Sequence, residues 1–152
     1  MSMWVHVAAV VRIDSFCYIS DEQLEDIFGK QCPHGSDSAT RADMHAHPEQ
    51  YLPKGSEGTL EMSVWHNPDE HDARSTTVSI FGDLRGTCDT EPLVKWFKAK
   101  CMLCAKQYRI RQAVITVDPE FLEPVTYRYD GPDRIYKNDE DDDDAVRKLP
   151  NI

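Results

Sequence analysis

The segment spanning residues 5–13 alternates between two sets of side chains, and this alternation constrains the fold more than any other feature of the sequence. Its odd-numbered positions are all aliphatic, whereas its even-numbered positions mix apolar and polar residues. Because successive side chains of a β-strand point to opposite faces, the pattern predicts a strand with one face in a core. Similar alternation recurs at 60–65, 77–81, 113–117 and 125–129, so five strands are expected.

Two helices are predicted between these strands. Ser20, followed three residues later by Gln23, forms a capping box, and Gly29 supplies a C-terminal stop. Asp89 or Thr90 is expected to cap the second helix, and apolar side chains then recur at helical spacing on one of its faces. That face comprises Leu93, Trp96, Phe97, Cys101, Cys104 and Tyr108.

The predicted order is strand, helix, strand, strand, helix, strand, strand. Its first six elements match the ferredoxin-like βαββαβ plan, in which two helices cover one face of an antiparallel sheet and leave the other open. We therefore predict a single α+β domain over residues 1–131 with an extra C-terminal strand. Residues 30–58 form an irregular loop insertion that is compatible with a brief helix at 39–45.

The chain is acidic throughout, with a net charge of −10. Residues 1–131 hold 20 acidic and 13 basic residues, a balance of −7, and residues 132–152 add a further −3. The tail at 132–152 is expected to be disordered, because its acidic run cannot bury enough apolar surface to order itself. An acidic domain disfavours nonspecific binding to nucleic acid or to an anionic membrane.

The sequence indicates a cytoplasmic protein. It contains no apolar run near the roughly 18 residues that a membrane span needs, and no signal peptide is indicated. Its five cysteines form an odd set without the spacing of a disulfide framework, which favours reduced thiols.

Residues 92–117 depart from the general acidity, because they include no acidic side chain. They offer a candidate anion-binding patch, although a solvated helix face is the default interpretation for such residues. Pairing with the acidic tail or with an acidic partner is a further alternative. The patch consists of Lys95, Lys98, Lys106, Arg109 and Arg111.

Two groups of cysteine and histidine residues have spacings that suggest metal or redox chemistry. Cys101 and Cys104 form a CxxC, but they share a helix face with aromatic residues, so we assign them to the core as small hydrophobes. Four residues of the insertion could bind zinc as two pairs, but their spacing is not that of a zinc finger. These candidates are Cys32, His34, His45 and His47, and no metal or other cofactor is predicted.

A separate set of aromatic residues occupies strand positions opposite the main apolar set, namely Trp4, His6, Trp65 and Phe81. In a ferredoxin-like sheet these side chains would share the open face, where RNA-recognition domains stack bases. Glu61 on the same face and the absence of the RNA-recognition glycine–aromatic motif argue against nucleic acid. Burial or a protein interface is therefore favoured.

Several segments resemble small uncharacterised proteins encoded by phages and prophages of Gram-positive bacteria. They are 5–14 (VHVAAVVRID), 55–65 (GSEGTLEMSVW), 76–86 (TTVSIFGDLRG), 96–101 (WFKAKC) and 112–117 (QAVITV). The similarity covers roughly residues 4–130 and leaves out the acidic tail. It implies a phage accessory protein that acts on a system of its host, in the host cytoplasm, and it carries no activity or site residue with it.

The leading hypothesis is a non-enzymatic accessory protein, because the sequence contains no phosphate-binding glycine motif, nucleophile elbow or HExxH. Such a protein would occlude a host protein, for example a nucleic-acid-binding nuclease as an anti-CRISPR does, with an acidic surface that imitates DNA. The alternatives are a single-stranded nucleic-acid or nucleotide binder and a self-associating assembly protein such as a homodimer. The predicted contact residues are Trp65, Phe81, Glu61, Asp139, Glu140, Asp141, Asp142, Asp143 and Asp144.

Overall fold

The computed structural model describes residues 3–32, 38–68, 74–86, 90–129 and 146–149. The elements in chain order are β1 (Trp4–Ser15), α1 (Asp21–Phe28), α2 (Ser38–Ala46), a 3₁₀ turn (Pro48–Gln50), β2 (Glu61–His66), β3 (Arg74–Arg85), α3 (Glu91–Ala105), β4 (Arg109–Pro119), β5 (Val125–Tyr129) and β6 (Val146–Leu149). The prediction of an α+β fold built on an antiparallel sheet is confirmed.

The described strands form one six-stranded sheet in the order β2-β3-β1-β4-β5-β6, and every neighbouring pair is antiparallel. The strand β1 lies inside the sheet and pairs with both β3 and β4. Val11 of β1, for example, lies between Val78 and Ala113, and all three side chains are buried. The buried residues of β1 therefore lie beside buried residues of β3 and β4, and together they form one apolar face of the sheet.

The core lies between this apolar face and the helices α1 and α3. Leu24, Ile27 and Phe28 of α1 are buried there, and the ring of Phe97 from α3 meets the ring of Tyr127 edge-on with centroids 6.3 Å apart. Each of these side chains removes apolar surface from water, which is the main favourable contribution to folding.

Cys101 and Cys104 of α3 are completely buried, as the sequence predicts. Burial raises the pKa of the Cys104 thiol to about 12 and raises the pKa of the Cys101 thiol further. Both thiols therefore stay protonated near neutral pH. Since the thiolate is the nucleophile and the metal ligand, this environment suits packing and not redox or metal chemistry.

The ends of α1 follow the sequence prediction. Ser20 and Gln23 form the reciprocal hydrogen bonds of a capping box, and Gly29 follows the helix with φ of 133°. A Cβ atom at Gly29 would lie 2.8 Å from the backbone nitrogen of Leu52, so only glycine lets the insertion approach this closely. At α3, Thr90 is the N-cap residue but its side chain makes no capping hydrogen bond, and Asp89 lies outside the described residues.

The insertion at 30–58 contains the brief helix that the sequence allows at 39–45, and more regular structure besides. The brief helix is present as α2, the 3₁₀ turn follows it, and Lys30 pairs with Tyr51 in an isolated bridge. Cys32, Met44 and Tyr51 form a small buried cluster of their own. Each of these elements is too short to show a periodic pattern, so the backbone hydrogen bonds that join them could not be predicted.

The strand β6 was not predicted. It lies within the segment 132–152 that is expected to be disordered, and it pairs with β5 from Thr126 to Tyr129. The other residues of that segment, including the acidic run at 139–144, lie outside the described residues.

We predict that Phe97→Ala lowers the free energy of unfolding by about 3–5 kcal/mol, because it leaves a cavity beneath the sheet. Phe16→Ala is the matched control, since the Phe16 side chain is 87% exposed. It should change the stability by no more than about 0.5 kcal/mol. Urea unfolding followed by circular dichroism measures both values, and equal losses for the two variants would contradict this location of the core.

Candidate functional site

The face of the sheet opposite α1 and α3 carries the outward side chains of the strands, and we call it the open face. Trp65 is 54% exposed there, Phe81 is 43% exposed and Val10 is 38% exposed. His6 is also exposed, whereas Trp4 is half-buried. The structure thus places the four aromatic candidates and Val10 on one surface. Large apolar side chains in water are informative when they occur together, because such patches mark binding surfaces.

The register of the strands determines how these side chains are spaced. Phe81 lies opposite Glu61 of β2 and Ala8 of β1, whereas Trp65 lies opposite Thr77, four residues away along β3. Four residues along a strand correspond to about 13 Å, so the two rings do not touch. Ser63 and Ser79 form the pair between them. The result is a shallow surface of small side chains with an aromatic ring at each end.

The open face is positive at its Trp65 end. Arg12 lies opposite Thr77 in the row that contains Trp65, and Arg128 of β5 lies opposite Val114 in the next row. Both arginine side chains are exposed. Thr77 separates Arg12 from Trp65, so the guanidinium and the indole lie on opposite sides of one row. A guanidinium suits flat anionic groups, because it offers a fixed fork of hydrogen-bond donors.

The open face is negative beyond Phe81. His6 lies between Asp83 of β3 and Asp118 of β4, and its Nδ1 is 2.6 Å from Oδ1 of Asp83. The hydrogen bond to Asp83 is the main cause that raises the pKa of His6 from its ordinary 6.5. Burial opposes this shift, and the negative charges of Asp83, Asp118 and Glu120 add to it. The open face is therefore polarised, with arginines at one end and carboxylates at the other.

Two members of the predicted anion-binding patch are ion-paired in the folded chain. Lys95 pairs with Glu91 one turn away at 3.0 Å, and Arg111 pairs with Asp14 of β1 at 2.8 Å. Lys106 is exposed at the end of α3, and Lys98 and Arg109 also have polar contacts. The acidic partner of Arg111 is remote in sequence, which is why a count along the segment 92–117 missed it.

The described metal-ligand candidates, Cys32, His45 and His47, do not form a metal site. Cys32 is buried, its thiol donates to the carbonyl oxygen of Leu52 at 3.2 Å, and burial raises its pKa. His45 and His47 are exposed, and His34 lies outside the described residues. Within the described ranges, no group of three or more metal-binding side chains lies close enough together to hold an ion.

A cavity of about 590 Å³ between the insertion and α3 is the feature that sequence analysis missed. Tyr51 and Leu52 line it from the insertion, and Trp96 and Lys100 line it from α3. The sequence places Trp96 on the core face of α3, but in the structure this residue is only half-buried. A large aromatic residue at that position is the one sign of the cavity that the sequence contains. The cavity itself depends on how the insertion docks, which no local pattern encodes.

Comparisons with known proteins place no constraint on this site. No protein-family model, curated protein or solved structure matches the chain. Among the helices that the structure describes, none is long and apolar enough to cross a membrane.

We predict that His6 titrates above 6.5 in NMR spectra recorded as a function of pH, and that Asp83→Asn lowers its pKa. Because folding raises this pKa, the stability contributed by protonated His6 is complete below 6.5 and is lost as the pH rises through the raised value. Asp26→Asn, on the exposed side of α1, is the control and should leave His6 unchanged. An unaltered titration in Asp83→Asn would show that the carboxylate does not set the pKa.

Proposed function

We propose that the protein is a non-enzymatic binding protein that contacts a protein partner through the open face of its sheet. The observation that carries this proposal is the exposure of Trp65, Phe81 and Val10 on one face whose charges are polarised. Tryptophan and phenylalanine are enriched in protein interfaces, and complementary charge orients the two partners.

A protein partner fits this surface better than a nucleic acid does. Glu61 lies directly opposite Phe81, and Asp83 and Asp118 lie one row beyond it, so phosphates would meet carboxylates at the Phe81 end of the surface. The row with Trp65 and Arg12 is the part that suits single-stranded nucleic acid, because a base can stack on the indole while the guanidinium meets the backbone. Nucleotide binding at this end is therefore the second candidate function.

The fold supports a finer proposal, that β1, α1, β2, β3, α3 and β4 form a ferredoxin-like unit. The antiparallel order β2-β3-β1-β4, with α1 and α3 on one face, is what that plan requires. The helix α2 and the 3₁₀ turn are then an insertion between α1 and β2, and β5 and β6 extend the sheet beside β4. On this plan the uncovered face is the usual place for a binding site.

The resemblance to phage and prophage proteins supports a more specific proposal. The partner would be a host protein in the cytoplasm, for example a defence nuclease with a basic nucleic-acid groove, and the protein would act as an anti-CRISPR does. The carboxylates of Asp83, Asp118 and Glu120 would then stand in for phosphates, in a chain whose net charge is −10. The acidic run at 139–144 would add to them, and it lies outside the described residues.

We predict that the double substitution Trp65→Ala and Phe81→Ala lowers affinity for the captured host partner at least about tenfold, since buried aromatic anchors carry most interface energy. The matched control is Phe16→Ala with Phe121→Ala, because these rings are even more exposed, at 87% and 70%, but lie in turns. Tagged full-length protein recovers the partner from host lysate, and calorimetry with the purified pair measures affinity. Equal affinity for the two double variants would refute the role of the open face.

The same purified proteins distinguish the alternatives. Retention of a single-stranded oligonucleotide at low salt, lost in the Trp65→Ala and Phe81→Ala variant, would favour the nucleic-acid function over the protein-binding one. A dimer in light scattering that dissociates in that variant would favour self-association. A wild-type monomer that retains no oligonucleotide agrees with the proposed function.

We predict that affinity for a basic partner falls steeply with salt, and that deleting Asp139–Asp144 makes the dependence shallower because six negative charges are removed. Replacing Lys98 and Lys106 by Gln also changes the net charge but leaves the acidic residues intact. This control variant should keep the steep dependence of affinity on salt. Binding that is unaffected by both high salt and the deletion would contradict the imitation of a phosphate backbone.

A further inference from the structure

The cavity between the insertion and α3 has the dimensions and walls of a small-molecule site. Its volume of about 590 Å³ lies within the range of roughly 300–1,000 Å³ that is usual for ligand pockets. Met44, Tyr51 and Leu52 are buried residues of the insertion that line the cavity, and Pro48 and Pro53 line it as well. Such a lining favours an apolar ligand body, because little of the wall can pair with polar groups.

Trp96 lines the cavity on the α3 side, and the carbon atoms of its indole ring face the cavity. The residue is half-buried, but its Nε1 atom is buried and has no hydrogen-bond partner among the described residues. The part of the indole that a ligand can reach is therefore the apolar part of the ring. A flat ring or a branched aliphatic group would pack against it, and aromatic pairs gain more than the buried area alone provides.

Two ammonium groups, those of Lys54 and Lys100, line the cavity. Nζ of Lys100 donates one hydrogen bond to the carbonyl oxygen of Glu49 at 3.1 Å, which leaves two of its three donors. Lys54 also lines the cavity and makes no ion pair with any residue that the structure describes. The carboxylate of Glu49 is the acidic group of the lining. With His45, which also lines the cavity, counted as neutral, two cations and one carboxylate leave the lining with a single positive charge.

We propose that this cavity binds a small monoanion, namely a free carboxylate on an aromatic or branched apolar body, with the carboxylate held by Lys54 and Lys100. The body would pack against Trp96, Tyr51 and Leu52. A single excess charge matches a carboxylate, whereas Glu49 would repel the second charge of a phosphate. The site is separate from the open face, since its walls come from the insertion and α3, and it does not depend on the proposed partner.

The partial burial of Lys100 strengthens such a contact. Burial lowers the pKa of the Lys100 ammonium, and the nearby Glu49 carboxylate opposes that shift. An ammonium that has already lost part of its hydration has less water to give up when a carboxylate arrives. Hydrogen bonds between charged groups are also stronger than those between neutral groups.

Naphthalene-1-acetate and its uncharged amide, naphthalene-1-acetamide, test the site in the full chain at pH 7. The two probes share one apolar body, so their difference in affinity by calorimetry measures the carboxylate contact. We expect the acid to bind about tenfold more tightly than the amide. Replacing Lys54 and Lys100 by Met should abolish that difference, whereas the matched pair Lys95→Met and Lys106→Met, outside the cavity, should preserve it.

Chemical-shift mapping on the wild-type protein keeps the test independent of how well the variants fold. Naphthalene-1-acetate should shift the backbone amides of Tyr51 and Leu52 and the indole resonance of Trp96. Shifts centred on the indole of Trp65 would overturn the proposal, because they would place the probe on the open face. Equal affinity for acid and amide, or no binding of either at about 10 mM, would overturn it as well.

Discussion

The pairing of β1 with both β3 and β4 is the constraint on which the rest of the structure depends. It fixes Val5, Val7 and Val11 towards the helices and, by the same geometry, fixes His6, Ala8 and Val10 towards the other side. A shift of one residue would exchange the two sets, so burial of the valines determines what the open face displays. The open face and the core are therefore two consequences of one register.

Much of this arrangement could be predicted from the sequence, because it depends on patterns formed by residues close together in the chain. The alternation of β1, the capping box at Ser20 and the helical spacing of Cys101 and Cys104 each lie within a few residues of chain. The fold class followed from them, because an amphipathic strand and an amphipathic helix have few ways to bury their apolar faces together. Side chains alternate between the two faces of a strand, and this rule alone predicts that Trp65 and Phe81 lie on the face opposite the buried residues.

Features that depend on distant residues could not be predicted in this way. The salt bridge between Arg111 and Asp14 forms because β1 and β4 are neighbours, and it neutralises one member of the expected cation patch. The cavity beside Trp96 exists because the insertion returns to the end of α1 at Gly29, where Lys30 bonds to Gln50 and Leu52. Neither contact leaves a periodic pattern in the chain.

Protection of the open face in the complex tests the central claim most directly. Hydroxyl-radical footprinting of the free protein should modify Trp65, Phe81 and Phe16, since all three rings are exposed. In the presence of the proposed partner, modification of Trp65 and Phe81 should fall severalfold while that of Phe16 stays unchanged. Full modification of Trp65 and Phe81 in the saturated complex would contradict the account, because the partner would then bind elsewhere.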